Sequence, residues 1–318
     1  MQTPVLLVIF KRPEHTRRAL EAIAAARPPK LFVAADGPRG DFEAAACAET
    51  RAVVRAFDFP FEVVTNFADA NLGCGVRVHT AITWAFTLTE ELIILEDDCL
   101  PHPSFFRFCQ ELLARYRDDE RVMHISGNNF VGPESRTPYS YYFSKYTHAW
   151  GWATWRRAWR HFDWSMQHWP ELRDAGLLET MCSDPYERRY WRDIFDRIAP
   201  GAPDIWDYQW NFSMWSQSGL AALPGVNLVT NHGWGPDATH THNPMELQPV
   251  EDIGEIVHPP YVVRNVVADT VQFDRNFGGA WMKEMDSPRA RFRRRISPLL
   301  APARALKRVL AGARRRTN

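Results

Sequence analysis

Leu92-Ile93-Ile94-Leu95-Glu96-Asp97-Asp98-Cys99 sets four apolar residues, two of them β-branched, directly before three carboxylates. The apolar run reads as a buried strand. Three adjacent negative charges do not belong in a sheet interior, because each would lose much of its hydration there. They must stand where the strand leaves the sheet, in water or around a cation. Hard divalent ions such as Mg²⁺ and Mn²⁺ take oxygen ligands, commonly one or two carboxylates with substrate phosphates supplying the rest. In an open α/β sheet the carboxyl ends of the strands form the ligand crevice, and the acids are aimed at it. The competing reading is an acidic turn that caps the helix opening near Pro101, Pro103 and Ser104.

Upstream, strand and helix patterns alternate. Residues 4–10, 30–35 and 61–66 read as strands; residues 14–26, 42–57 and 76–88 read as helices, the last leading into 92–95. Pro28-Pro29 ends the first helix, and Asp36-Gly37-Pro38 closes the second strand as a turn. Four such alternations predict a parallel sheet with crossover helices. Gly73 and Gly75 do not make a dinucleotide fingerprint, because Val78 stands at the third glycine position and no acid closes a second strand at the right distance. No GxSxG, GxxxxGK[ST] or HExxH string occurs.

Downstream, residues 104–116 read as an amphipathic helix and 122–126 as a strand. Residues 139–169 then hold six of the 13 tryptophans, several in the string Ala149-Trp150-Gly151-Trp152-Ala153-Thr154-Trp155. Two readings stand: a satellite core of large aromatics, or a platform on which sugar rings stack. Residues 187–198 and 208–216 look helical. Between them, Pro203-Asp204-Ile205-Trp206-Asp207 ends in an aspartate at a helix start, where a carboxylate also serves as a cap. Residues 220–223 and 227–230 read as short strands, followed by a polar stretch to His242. His240 and His242 share one side of an extended segment, as metal ligands or as plain loop histidines.

The formal net charge of zero conceals a division. Residues 287–318 carry 11 of the 38 Lys and Arg and no acid, leaving 27 basic against 38 acidic residues in the rest, a difference of −11. Residues 289–316 have the composition of a basic amphipathic helix for an anionic membrane face; nucleic-acid binding and plain disorder are the alternatives. Five scattered cysteines without a CxxC pair favour reduced thiols over a disulfide frame. With no basic leader before the first apolar run and no 18-residue apolar span, the expectation is a cytoplasmic protein, peripheral at the membrane through its tail.

These strings resemble the GT-A-fold, nucleotide-sugar-dependent glycosyltransferases, in particular the N-acetylglucosaminyltransferase I group and bacterial family 2-like relatives, over residues 4 to 242. PVLLVIFKRPEHTRRAL is similar to that family's opening strand, basic turn and helix, and AADGP to its second strand. LIILEDDCLPHPSFFRF resembles its acidic metal segment and the following helix, GWATWRRAW its acceptor-side segment, and IWDYQW the segment bearing its base. The resemblance implies an α/β fold of GT-A type, a Rossmann-like mixed, mainly parallel sheet flanked by helices. It implies one catalytic domain over 1–286, with a nucleotide-sugar half (1–130) and an acceptor half (131–286), before the basic tail 287–318.

The same resemblance implies a Mn²⁺ or Mg²⁺ cofactor, a nucleotide-sugar donor, UDP-linked by preference, and a glycan or glycolipid acceptor. It makes Asp98 the metal ligand and Asp207 the base of an inverting transfer, while the spacing of the two histidines offers His240 as a second metal ligand. Glu96 and Asp97 contact metal-bound water or donor hydroxyls, Asp36 the nucleobase, and Arg12, His79 and Trp206 the donor. Other classes compatible with the residues are a sugar nucleotidyltransferase and a non-catalytic carbohydrate-binding protein.

Overall fold

The computed structural model describes residues 1–199, 201, 204–233 and 249–288. Strand β1 (Val5–Ile9), helix α1 (Pro13–Ala26), β2 (Lys30–Ala35), α2 (Asp41–Ala56), β3 (Glu62–Phe67), α3 (Cys74–Ala85) and β4 (Glu91–Glu96) follow the expected alternation. Next come β5 (Cys99–Pro101), α4 (Pro103–Arg115), β6 (Val122–Ser126), β7 (Tyr141–Ser144) and β8 (Trp152–Trp155). Helices α5 (Arg156–Trp159), α6 (Trp169–Asp174), α7 (Leu177–Met181), α8 (Pro185–Ile198) and α9 (Asp207–Ser216) lead to β9 (Leu220–Pro224) and β10 (Val229–Asn231). The described chain ends with α10 (Val266–Asn276) and α11 (Gly279–Met285).

Eight strands form one sheet in the order β3-β2-β1-β4-β8-β6-β9-β7, and β5 pairs with β10 in a separate ribbon. The β1–β2, β1–β4, β2–β3 and β6–β9 pairs are parallel; β8 runs antiparallel to β4 and β6, and β7 to β9. The architecture is therefore mixed α/β with a mainly parallel sheet flanked by helices, as the alternation predicted.

Strand periodicity divides the core. Val5, Leu7, Ile9, Ile93 and Leu95 face α1, α2 and α4, packing with Leu20, Ile23, Val54, Phe105 and Leu112. Leu6, Val8, Leu92 and Ile94 point the other way, onto Val78, Ile82, Trp152, Trp206 and Trp210. Both faces are covered, so these strands read as continuous apolar runs rather than alternating ones. A third cluster, with Tyr146, Trp169, Trp191, Phe195, Phe212 and Trp215, is the aromatic satellite core. Four of the six tryptophans in 139–169 (Trp152, Trp155, Trp159 and Trp169) are buried, leaving Trp150 and Trp164 partly open.

The sequence reading placed no strands in 139–155, where β7 and β8 lie. Each is four residues long and buried throughout, so neither shows alternation. No helix among the described residues is long and apolar enough to cross a membrane. The basic tail, and with it the expected membrane contact, lies outside the described residues.

Candidate active site

β4 delivers Glu96 to its carboxyl end, in register with Val8 of β1, and Asp97 N–H still donates to Val8 O at 3.0 Å. Asp97 and Asp98 then form a turn, and β5 doubles back against β10. These acids do not cap the next helix. The cap of α4 is His102, whose Nδ1 accepts from Ser104 N–H.

The turn is clamped from two sides. From the loop after β1, Phe10 N–H donates to Asp97 Oδ2 (3.2 Å), while Arg12 Nη1 reaches Asp97 Oδ1 (3.3 Å) and Asp98 Oδ2 (2.7 Å). From the end of β10, Asn231 Nδ2 donates to Asp98 Oδ1 (3.0 Å) and His232 N–H to Asp98 O (2.8 Å). Asn231 Oδ1 in turn holds Gly233 N–H at 2.7 Å. A Cβ on Gly233 would collide with Asp98 Oδ2, so a side chain there would displace that carboxylate.

Negative charge accumulates here faster than the protein neutralises it. Burial, then the charges of Asp98, Asp97 and Asp207, push the Glu96 carboxyl well above the usual range. Burial and Asp98 do the same to Asp97, with Arg12 opposing. Burial works against the Arg12 guanidinium, but Asp97 and Asp98 outweigh it and raise its pKa.

The amino end of α3 borders the same crevice. Gly75 N–H donates to Asp204 Oδ1 at 2.7 Å, so a carboxylate from the 204–207 segment sits on the positive end of the α3 dipole. Gly75 is needed because a side chain there would strike the backbone of Ile205 and the Trp164 ring. The Cys74 thiol at this helix start is pushed up by burial and then by the charges of Glu96, Asp204, Asp207 and Asp98. Asp207 opens α9 and lies near enough for its charge to act on both Glu96 and Cys74.

Arg12, Glu96, Asp97, Asp98 and Asp207 are thus brought together. Three residues expected to contact the donor already have partners within the protein. Asp36 is 5% exposed, and its carboxylate accepts Gly37 N–H and Leu72 N–H on Oδ1 and Asn71 Nδ2 and Gly73 N–H on Oδ2. Its acceptor capacity is filled, so it organises the loop into α3 rather than reading a base. Trp206 is 4% exposed and stacked on Trp152 at 5.4 Å, a core residue with its face taken. The His79 ring stacks on Trp164 at 4.4 Å, and burial lowers its pKa. His240 lies outside the described residues. Asn231, His232, Gly233, Cys74 and Asp204 went unrecognised. The only signal for the first three was an Asn-His-Gly string directly after a short strand.

Among the described residues no three His, Cys, Asp or Glu side chains converge as a ready-made metal set. The donors nevertheless suit a hard divalent ion of the kind that takes one or two carboxylates and completes its shell from a ligand. All are oxygens, their negative charge is incompletely balanced, and a guanidinium already stands in as cation on Asp98.

No family model and no curated protein matches this chain. Similarities among solved structures are distant. GalNAc-T7 with UDP, GalNAc and Mn²⁺ is 10% identical, with a TM-score of 0.44 over 79% of this chain and 47% of that one. Mouse xyloside xylosyltransferase 1 is 11% identical, with a TM-score of 0.34 over 68% of this chain and 82% of that one. A 4-diphosphocytidyl-2C-methyl-D-erythritol synthase from Anaerococcus prevotii is 6% identical, with a TM-score of 0.26 over 39% of this chain and 54% of that one. This chain spans about half the length of the first and third of these proteins. None of these likenesses is close enough to assign an activity.

Proposed function

We propose that this protein is a GT-A-type glycosyltransferase that moves a hexosyl or N-acetylhexosaminyl group from a nucleotide-diphosphate donor, UDP-linked by preference, to a hydroxyl of a glycan or glycolipid, in cell-surface polysaccharide synthesis. One observation carries the reading: the Glu96-Asp97-Asp98 trio emerges at the carboxyl end of the central strand beside Arg12, with Asp207 close enough to act on Glu96.

Asp98 is the residue to hold Mn²⁺ or Mg²⁺, assisted by Asp97; the ion, when bound, supplies Lewis-acid neutralisation of the diphosphate leaving group. Glu96 lies farther back on the strand end, suited to a donor hydroxyl. Arg12 offers a planar fork of donors that matches phosphate oxygens. Asp207 accepts the proton of the acceptor hydroxyl as that oxygen bonds to the anomeric carbon, opposite the C–O bond that breaks to release the diphosphate, so configuration inverts. A carboxylate of ordinary basicity suffices, because the hydroxyl acidifies only as the new bond forms. Water must be kept from the donor. The 204–207 segment, pinned to α3 by Asp204, and the partly open Trp164 form that wall. Phe130 and Trp150, edge to face at 5.2 Å beyond β6, suit the acceptor side.

The test is a UDP-sugar panel with and without Mn²⁺, read as UDP release and product formation. Metal-dependent UDP release that is lost in Asp98→Ala, and transfer lost with donor binding kept in Asp207→Asn, are the expected results. Wild-type turnover in Asp98→Ala removes the metal assignment. A protein that binds a nucleotide sugar and never releases UDP is a binder, not a transferase.

A further inference from the structure

We infer that Arg12 is a built-in counter-ion that keeps the acidic turn closed to metal until a donor diphosphate draws it away, so that the divalent ion and the nucleotide enter together. The inference rests on the transferase reading and concerns the order of binding at that site.

Every carboxylate oxygen of Asp97 and Asp98 has a protein donor. Phe10 N–H and Arg12 occupy Asp97, while Arg12 and Asn231 occupy Asp98, the shortest contact being Arg12 Nη1 to Asp98 Oδ2 at 2.7 Å. A Mg²⁺ or Mn²⁺ ion bonded to that same oxygen, at about 2.0–2.1 Å for Mg²⁺, would face a guanidinium held against it. Two cations cannot share the carboxylate without repulsion, and Asn231 Nδ2 holds the other Asp98 oxygen at 3.0 Å.

The Arg12 side chain can leave the turn while its backbone stays. Its backbone is fixed at the start of α1, where its carbonyl accepts Thr16 N–H at 3.0 Å, while the side chain is 18% exposed and reaches the turn by its long stem. The neighbouring Lys11 is committed elsewhere, to Glu43 at 2.7 Å. A diphosphate brought to the acids offers the guanidinium a stronger bidentate partner than two separate aspartates do. Arg12 then moves from carboxylate to phosphate and frees Asp98 for the ion. Nucleotide and metal therefore tighten each other's binding, and linkage makes the factor the same in both directions.

The experiment measures Mn²⁺ affinity of the full chain by calorimetry, without nucleotide and with saturating UDP. Wild type is expected to bind Mn²⁺ weakly alone and at least tenfold more tightly with UDP. Arg12→Met keeps the stem and removes the charge; it should bind Mn²⁺ alone at least tenfold more tightly than wild type, with UDP affinity reduced. Arg12→Gln carries the same expectation should the methionine variant fail to fold. Equal Mn²⁺ affinity in wild type and both variants, with UDP binding intact, overturns the counter-ion role alone. A wild type that binds neither UDP nor Mn²⁺ under any condition overturns this inference together with the transferase reading.

Discussion

Asn231→Asp is the most searching perturbation of the site. Asn231 is 9% exposed and spans the gap between Asp98 and the Gly233 backbone with bonds of 3.0 and 2.7 Å. The substitution keeps size and shape, and the new carboxylate still accepts from Gly233 N–H. Toward Asp98, however, a donor becomes a second anion. Losing a hydrogen bond to a charged group costs about 1.5–3 kcal/mol net. Two unit charges about 3 Å apart repel by roughly 5 kcal/mol at an effective dielectric of about 20. Since the turn is partly open to water, the net destabilisation should be about 3 kcal/mol or more, a large share of a typical domain's stability. The same change adds a hard oxygen ligand beside Asp98. Thermal melts with and without Mn²⁺ should show a variant less stable than wild type without metal and stabilised more than wild type by it. A variant that melts like wild type and ignores Mn²⁺ would refute the contact between β10 and the acidic turn.

Asp204→Ala removes the carboxylate from the start of α3; it should cost about 1 kcal/mol in stability and raise the ratio of donor hydrolysis to transfer, measured as UDP released per product formed. Trp206→Ala empties a site stacked on Trp152 and should destabilise by about 3–5 kcal/mol, with chemical denaturation as the readout. Glu43 is pulled from its ordinary 4.5 down to about 2, chiefly by Arg39 and then, against burial, by Lys11. A folded pKa below the unfolded one adds stability that is present above about 4.5 and fades as pH falls toward about 2. Glu43→Gln should therefore flatten the acid limb of the stability curve, and an unchanged limb would show that the Arg39–Lys11 pairing does not persist in solution.

Much of the first half of the fold was legible because its strands are unbroken apolar runs between amphipathic helices. The acidic turn was legible for a related reason: carboxylates immediately after Leu95 have nowhere to go but the strand's exit. Asp36 shows where local reasoning stops. An aspartate before Gly-Pro reads as a turn residue, but nothing nearby announces that Asn71, Leu72 and Gly73 will fill its oxygens. Trp206 was expected at the donor because it precedes Asp207, but from the N-cap position of α9 its ring turns inward and is buried against Trp152. Asn231 lies 133 residues from Asp98, and the ribbon joining them has strands of three residues, too short for any periodicity.

The position of β8 bears on any attempt to divide this protein. It follows β6 in the chain yet wedges antiparallel between β4 and β6. A fragment ending near residue 130 would possess all three acids yet present β4 with a bare apolar edge, an invitation to aggregation rather than a minimal nucleotide binder. Grafting a different second part onto the first 130 residues would meet the same obstacle, because the scissors would fall across the middle of the sheet. Chimaeras should instead trade surface segments and carry the whole sheet from a single parent.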